Sequence, residues 1–127
     1  MRLPLLALLL AALATTACSN AGTASSTGSG AEHATSPKEA VKAAALVLDV
    51  RSEDEFAGGH LERAENIPVD QVEAQLDAIG KKVGGDKSKP IAVYCAAGGR
   101  AARAKQMLEK AGYTHVTNAG GYSQIKE

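Results

Sequence analysis

Strand-length apolar runs alternating with capped helical stretches predict an α/β fold: one domain, with a small parallel sheet flanked by helices. The two clearest runs are Ala45-Leu46-Val47-Leu48-Asp49-Val50 and Pro90-Ile91-Ala92-Val93-Tyr94. They are too short for helices and almost continuously apolar, as strands buried on both faces of a parallel sheet must be. Length agrees: of 127 residues, those from about 36 onward form the folded part, enough for a single core.

In chain order, Ser36-Pro37-Lys38-Glu39 starts a short helix. Ser caps it, Pro suits the first turn, and Glu stands three residues after the cap. The first strand follows. Asp54 to Gly58 reads as a short helical turn, and Asn66-Ile67-Pro68-Val69 as a short extended piece, Pro68 turning its predecessor away from helix. Asp70-Gln71-Val72-Glu73 repeats the capping pattern. Val72, Leu76 and Ile79 then share a helical face that Gly80 is expected to end. Lys81 to Lys89 reads as a charged loop before the second strand. Ala101 to Ala111 is a helix, with Ala101, Ala104, Leu108 and Ala111 inward and Gly112 as its stop. His115-Val116-Thr117 is a third short strand.

The first 35 residues read differently. Met1-Arg2, an apolar run from Leu3 to Ala14, and small residues up to Cys18 have the form of an export signal. A run of about a dozen residues falls short of the roughly 20 needed to span a bilayer. Small residues before Cys18 resemble the lipobox of bacterial lipoproteins, which implies cleavage after residue 17 and a lipid on the Cys18 sulfur. Ser19, not Asp, follows it. The resemblance therefore implies a periplasmic or cell-envelope location, at the outer membrane in a Gram-negative host. Cleavage after Ala12-Leu13-Ala14 would instead give a soluble exported protein. Residues 18–35 are small and polar and bury too little to offset ordering entropy, so they read as a flexible tether. His33 is expected to be solvated within it.

Fourteen basic and fourteen acidic side chains balance, so nothing argues for binding to nucleic acid. With one Phe and no Trp, the core must be aliphatic. Two cysteines are too few for a structural zinc site or a disulfide-stapled fold.

Chemistry is expected at Cys95. It follows a buried strand and precedes Ala96-Ala97-Gly98-Gly99-Arg100, which opens a helix. Ligand sites of parallel sheets form beyond the carboxyl ends of strands. A loop nearly free of side chains can curl its N–H groups around one point, with a helix N-terminus behind them. A thiolate would be favoured there, below the ordinary thiol value of about 8.5. Arg100 is expected to add positive charge at the rim. A buried structural cysteine is the bland alternative, but an exported protein has reason to avoid an idle thiol.

Leu46-Val47-Leu48-Asp49-Val50-Arg51, Glu55-Phe56, Gly59-His60-Leu61, Ala64-Glu65-Asn66-Ile67-Pro68, Cys95 to Arg100, Gly112-Tyr113 and Gly120-Gly121 stand in an order and spacing that resembles the rhodanese domain family, in particular its small exported single-domain members. The resemblance implies sulfur transfer. Cys95 would take the outer sulfur of a donor such as thiosulfate, hold it as a persulfide over the amides of Ala96, Ala97, Gly98, Gly99 and Arg100, and pass it to a thiophilic acceptor. No metal or organic cofactor is implied, and a monomer is expected. Asp49 and Arg51 are implied to be structural, Asp49 accepting loop hydrogen bonds and Arg51 pairing with Glu55. His60 is implied to be a packing residue rather than a general base. His115 has no partner for a metal nearby, and Arg103 and Lys105 read as a solvated helix face. Ala96 and Ala97 replace the polar or basic residues of many relatives, so thiosulfate is expected to be a poor donor.

Other readings remain. A sulfur carrier or binding module would use Cys95 without turnover alone. A thiol redox partner lacks a Cys-x-x-Cys pair. Phosphatase or arsenate reductase relatives use a Cys-x5-Arg loop, one residue longer than the spacing from Cys95 to Arg100.

Overall fold

Four parallel strands, β1 (Leu46–Asp49), β2 (Ala64–Asn66), β3 (Ile91–Cys95) and β4 (Val116–Gly121), form one sheet in the order β2-β1-β3-β4. The structure, a computed structural model, describes residues 36–127. The expected signal segment, tether, Cys18 and His33 lie outside the described residues. No helix among the described residues is long and apolar enough to cross a membrane.

Helices cover both faces, as the apolar runs require. Alternate residues of the two central strands point oppositely. Leu46, Leu48, Ile91, Val93 and Cys95 join Val72, Ile79, Ala101, Ala104 and Leu108 in the larger core. Val47, Ala92 and Tyr94 join Ala44, Ala119 and Ile125 in the smaller one. The first face is closed by α3 (Leu76–Lys82) and α4 (Gly99–Lys110), the second by α1 (Pro37–Ala43) and the short α5 (Tyr122–Ile125). Parallel strands place the carboxyl ends Asp49, Asn66, Cys95 and Gly121 on one edge, where α2 (Glu53–Ala57) also lies.

The helix starts follow the expected capping chemistry. Ser36 Oγ accepts from the Glu39 amide while Glu39 accepts from the Ser36 amide at 2.9 Å. Ser52 and Glu55 form the same reciprocal cap on α2. Arg63 donates to the carbonyls of Lys42 and Ala44, satisfying the end of α1.

Three expectations are corrected. The helix expected from Asp70 to Gly80 is two pieces: a 3-10 turn at Val69–Gln71, then α3. Hydrogen bonds from the Ile67 and Val69 amides to Asp49 and Val50 pin the chain to the end of β1 and force a tight first turn. Gly80 does not end α3 but lies inside it, because the Tyr113 hydroxyl passes over it and donates to Leu76. A Cβ at Gly80 would come within 3.1 Å of that oxygen. The last strand begins at Val116 and runs on to Gly121, past the expected Thr117. Its outer half pairs with β3 through an irregularity: Val93 faces Asn118, but Cys95 faces Gly121.

Candidate active site

α4 begins without any side-chain cap. The first amides of a helix have no intrahelical acceptor, and here the acceptor is sulfur. Gly98 N–H donates to Cys95 Sγ at 2.9 Å. Burial pushes the Cys95 thiol up. The amides of Ala101, Ala97, Gly98 and Arg100 more than offset this, so its pKa falls below the ordinary value. Cys95 is 1% exposed, whereas Ala96, Ala97 and Gly99 above it are exposed. It is the free cysteine of the described residues.

The loop is held in place by β4. Gly98 has φ +97°, a conformation that side chains with a Cβ resist. Its carbonyl accepts from Asn118 Nδ2 at 3.0 Å, while Asn118 Oδ1 accepts from the Gly120 amide at 2.8 Å. The side chain of Asn118 thus ties the strand irregularity to the sulfur loop. Gly121 lies against the loop so closely that a Cβ there would sit 2.6 Å from the Ala96 carbonyl oxygen. Nothing local in the sequence marks the role of Asn118 beyond a polar residue between Thr117 and Ala119.

Asp49 and Arg51 lie at the end of β1, as expected, but they pair with each other. Arg51 Nη2 is 2.6 Å from Asp49 Oδ2, its Nε is 3.0 Å from both carboxylate oxygens, and Nη2 also donates to the Gly59 carbonyl at 2.7 Å. Both are buried. The guanidinium lies 4.4 Å from the Tyr122 ring centre, and the Tyr94 hydroxyl accepts from the Leu61 amide. The expected pairing of Arg51 with Glu55 is therefore corrected. Asp49 is nearer along the chain and shares the buried edge.

Glu55 instead grips Arg100. Its Oε2 and Oε1 accept from Arg100 Nη1 and Nη2 at 2.7 and 2.9 Å. The Arg100 hydrogen bonds, with help from the Ser52 amide, hold the Glu55 carboxyl down at about 2. The expected free positive charge of Arg100 at the rim is thus matched by a carboxylate. His60 stacks on Phe56 with ring centres 3.6 Å apart, and its Nδ1 lies 2.9 Å from the Phe56 carbonyl, a packing role. His115 is exposed beside Thr114. Among the described residues no three His, Cys, Asp or Glu cluster to hold a metal.

A loop of N–H groups around a buried sulfur at the carboxyl end of a parallel sheet agrees with one family, the rhodanese-like domain, which matches residues 31–127. The chain belongs to the rhodanese-like domain family. The thiosulfate sulfurtransferase PspE of Escherichia coli (strain K12) is 38% identical over 78 residues, 61% of this chain and 71% of that protein. A solved structure described as rhodanese with anions from E. coli superposes with a TM-score of 0.57 at 39% identity, over 63% of this chain and 89% of that one. The human single-domain sulfurtransferase TSTD1 superposes with a TM-score of 0.56 at 31% identity, over 67% of this chain and 82% of that one. Membership of this family, with sulfurtransferases among its relatives, supports sulfur transfer as the reaction class of the domain.

Proposed function

We propose that this protein is an exported sulfurtransferase of the thiosulfate type, with Cys95 as the sulfur-carrying nucleophile. The Cys95 thiolate attacks the outer sulfur of thiosulfate. A sulfur–sulfur bond forms to Cys95, the donor's own sulfur–sulfur bond breaks, and sulfite leaves with the electron pair. The terminal sulfur of the persulfide then passes to cyanide, giving thiocyanate, or to a thiol acceptor, and Cys95 returns as thiolate. The two half-reactions are ping-pong covalent catalysis.

The observation that carries this reading is the helix-start cradle: the Gly98 amide 2.9 Å from Cys95 Sγ, with neighbouring amides lowering the thiol pKa. The same preorganised dipoles stabilise the thiolate before attack and the persulfide after it. Ala96, Ala97, Gly98 and Gly99 put no bulk over the sulfur, and Arg100 closes the loop against Glu55. Asp49 and Arg51 hold the neighbouring strand end. The chemistry calls on no metal or cofactor. In this reading residues 1–17 are a leader, 18–35 a tether, and 36–127 the working domain. It sits in the periplasm or cell envelope, anchored through lipid on Cys18, and acts as a monomer.

The test is thiocyanate formation from thiosulfate and cyanide. Parallel-line, ping-pong kinetics and their loss in Cys95→Ser support the proposal. No thiocyanate with any sulfane donor, while a partner protein still loads Cys95, would replace the enzyme with a carrier module.

A further inference from the structure

Arg100 is the sole cation among the loop residues Ala96 to Arg100, so it is the natural side-chain ligand for an anionic donor. Its charge is already matched, although the guanidinium also lies close enough to Cys95 to interact with it. Glu55 binds it through two near-parallel hydrogen bonds, the geometry that makes an arginine–carboxylate pair strongest and most directional. Glu55 is itself fixed. The Ser52 amide and hydroxyl donate to its Oε2 at 3.0 and 3.1 Å, so the carboxylate is set in place by the start of α2 before it meets Arg100. The nearest further cation on the helix is the exposed Arg103, one turn on. Beside Arg100 a depression of about 410 Å3 is lined by Ser52, Glu53, Asp54 and Asp70, and the exposed acids disfavour an approaching dianion.

From this geometry we infer that Glu55 is a specificity-determining residue: by neutralising the charge of Arg100, it weakens the hold on dianionic sulfur donors such as thiosulfate relative to donors of lower charge. The inference rests on the sulfurtransferase reading of Cys95. Ala96 and Ala97 leave the same preference uncorrected, since neither side chain can bind a sulfonate. The ion pair holds across the neutral range, because the Glu55 carboxyl is held down at about 2.

Glu55→Gln releases the guanidinium yet keeps the α2 cap, since Gln serves that position as well as Glu. The full-length protein and this variant are assayed with two donors, thiosulfate (a dianion) and methanethiosulfonate (a monoanion), with cyanide as acceptor. Each donor loses its outer sulfur to Cys95 and departs as sulfite or methanesulfinate. A freed charge-assisted contact at a partly exposed site is worth about tenfold. The ratio of kcat/KM for thiosulfate over methanethiosulfonate should therefore rise about tenfold in Glu55→Gln. The gain should lie in the KM for thiosulfate rather than in kcat, and should vanish in Glu55→Gln/Arg100→Ala. A ratio within twofold of the wild type, or a lower one, overturns the assignment. Salt gives a second readout on the unaltered protein. With Arg100 withheld and acids nearby, kcat/KM for thiosulfate should rise as added salt screens them; a fall overturns the assignment even if the variant does not fold. Absence of thiocyanate from both donors defeats the sulfurtransferase reading itself, whereas turnover with an unshifted ratio defeats only the role of Glu55.

Discussion

Gly121→Ala should disable the sulfur loop without altering any residue of it. Gly121 has φ −97° and ψ 145°, ordinary extended backbone, so alanine brings no conformational strain there. It brings only a methyl group, 2.6 Å from the Ala96 carbonyl oxygen and 3.3 Å from its carbon. Ordinary contact begins near 3.4 Å, so the loop or the strand must yield by about 0.8 Å. Both are backbone, and β4 is held in register with β3 at that point. Overpacking of this kind costs about 1–3 kcal/mol, and each kcal/mol lowers Tm by roughly 4–8 °C in a domain of this size. A fall of about 10 °C is expected. The loop should yield more readily than the sheet, lengthening the 2.9 Å contact from the Gly98 amide to Cys95 Sγ. A hydrogen bond to a charged acceptor is worth about 1.5–3 kcal/mol, and 1.4 kcal/mol is tenfold. Alkylation of Cys95 by iodoacetamide at pH 7 should thus slow about tenfold or more. The assay is thermal unfolding alongside alkylation rate against pH. The control is Gly99→Ala, where a Cβ meets nothing within 4 Å and Tm should hold or rise. Wild-type Tm and an unchanged alkylation profile in Gly121→Ala would refute the packing argument.

Three further outcomes are expected. Asp49→Ala strands the buried Arg51 guanidinium without its carboxylate. Removing one partner of a buried pair costs about 3–5 kcal/mol, so the domain should unfold at markedly lower denaturant, as read by urea titration. Asn118→Ala removes both hydrogen bonds that join Gly98 and Gly120, and should cost about 1–2 kcal/mol with slower Cys95 alkylation. For pH, the Cys95 pKa is depressed in the folded state. The stabilisation it gives is full above the unfolded value of about 8.5 and is lost as pH falls through the folded value. The unfolding free energy of wild type relative to Cys95→Ser should therefore fall as pH is lowered from 9 to the folded pKa. Glu55 adds almost no slope in that window, because its stabilisation is essentially complete above the unfolded carboxyl value of about 4.3 and is lost only as pH falls toward about 2. Urea melts from pH 5 to 9 check the sign; a gap that widens toward low pH would contradict it.

Much of the architecture was legible because the information was local. The runs at Leu46–Asp49 and Ile91–Cys95 were continuous enough to read as buried strands. Ser36-Pro37 and Ser52 to Glu55 carry cap chemistry within four residues, although the second box lacks the proline that marks the first. Cys95 followed by small residues before a helix marked the loop. What escaped depended on partners distant in sequence. Gly80 looks like a stop in sequence, but it admits Tyr113, a side chain from just past the end of α4. Glu55 stands four residues from Arg51, yet its partner Arg100 lies forty-five residues on. The purpose of Gly120-Gly121 was hidden for the same reason. Its spacing was visible, but the loop it makes room for belongs to another strand. The last strand was read short because Asn118, Gly120 and Gly121 are poor strand formers, kept in the sheet by pairing with β3.

The central claim is that the amides around Cys95 hold a sulfur atom as a persulfide, and intact-protein mass spectrometry before and after thiosulfate tests it most directly. The account predicts a gain of one sulfur, about 32 Da for a single covalent transfer. The gain should be absent in Cys95→Ser and reversed by cyanide. An unchanged mass with thiosulfate and with methanethiosulfonate, in protein whose Cys95 also resists iodoacetamide, would contradict the account and leave Cys95 a buried structural residue.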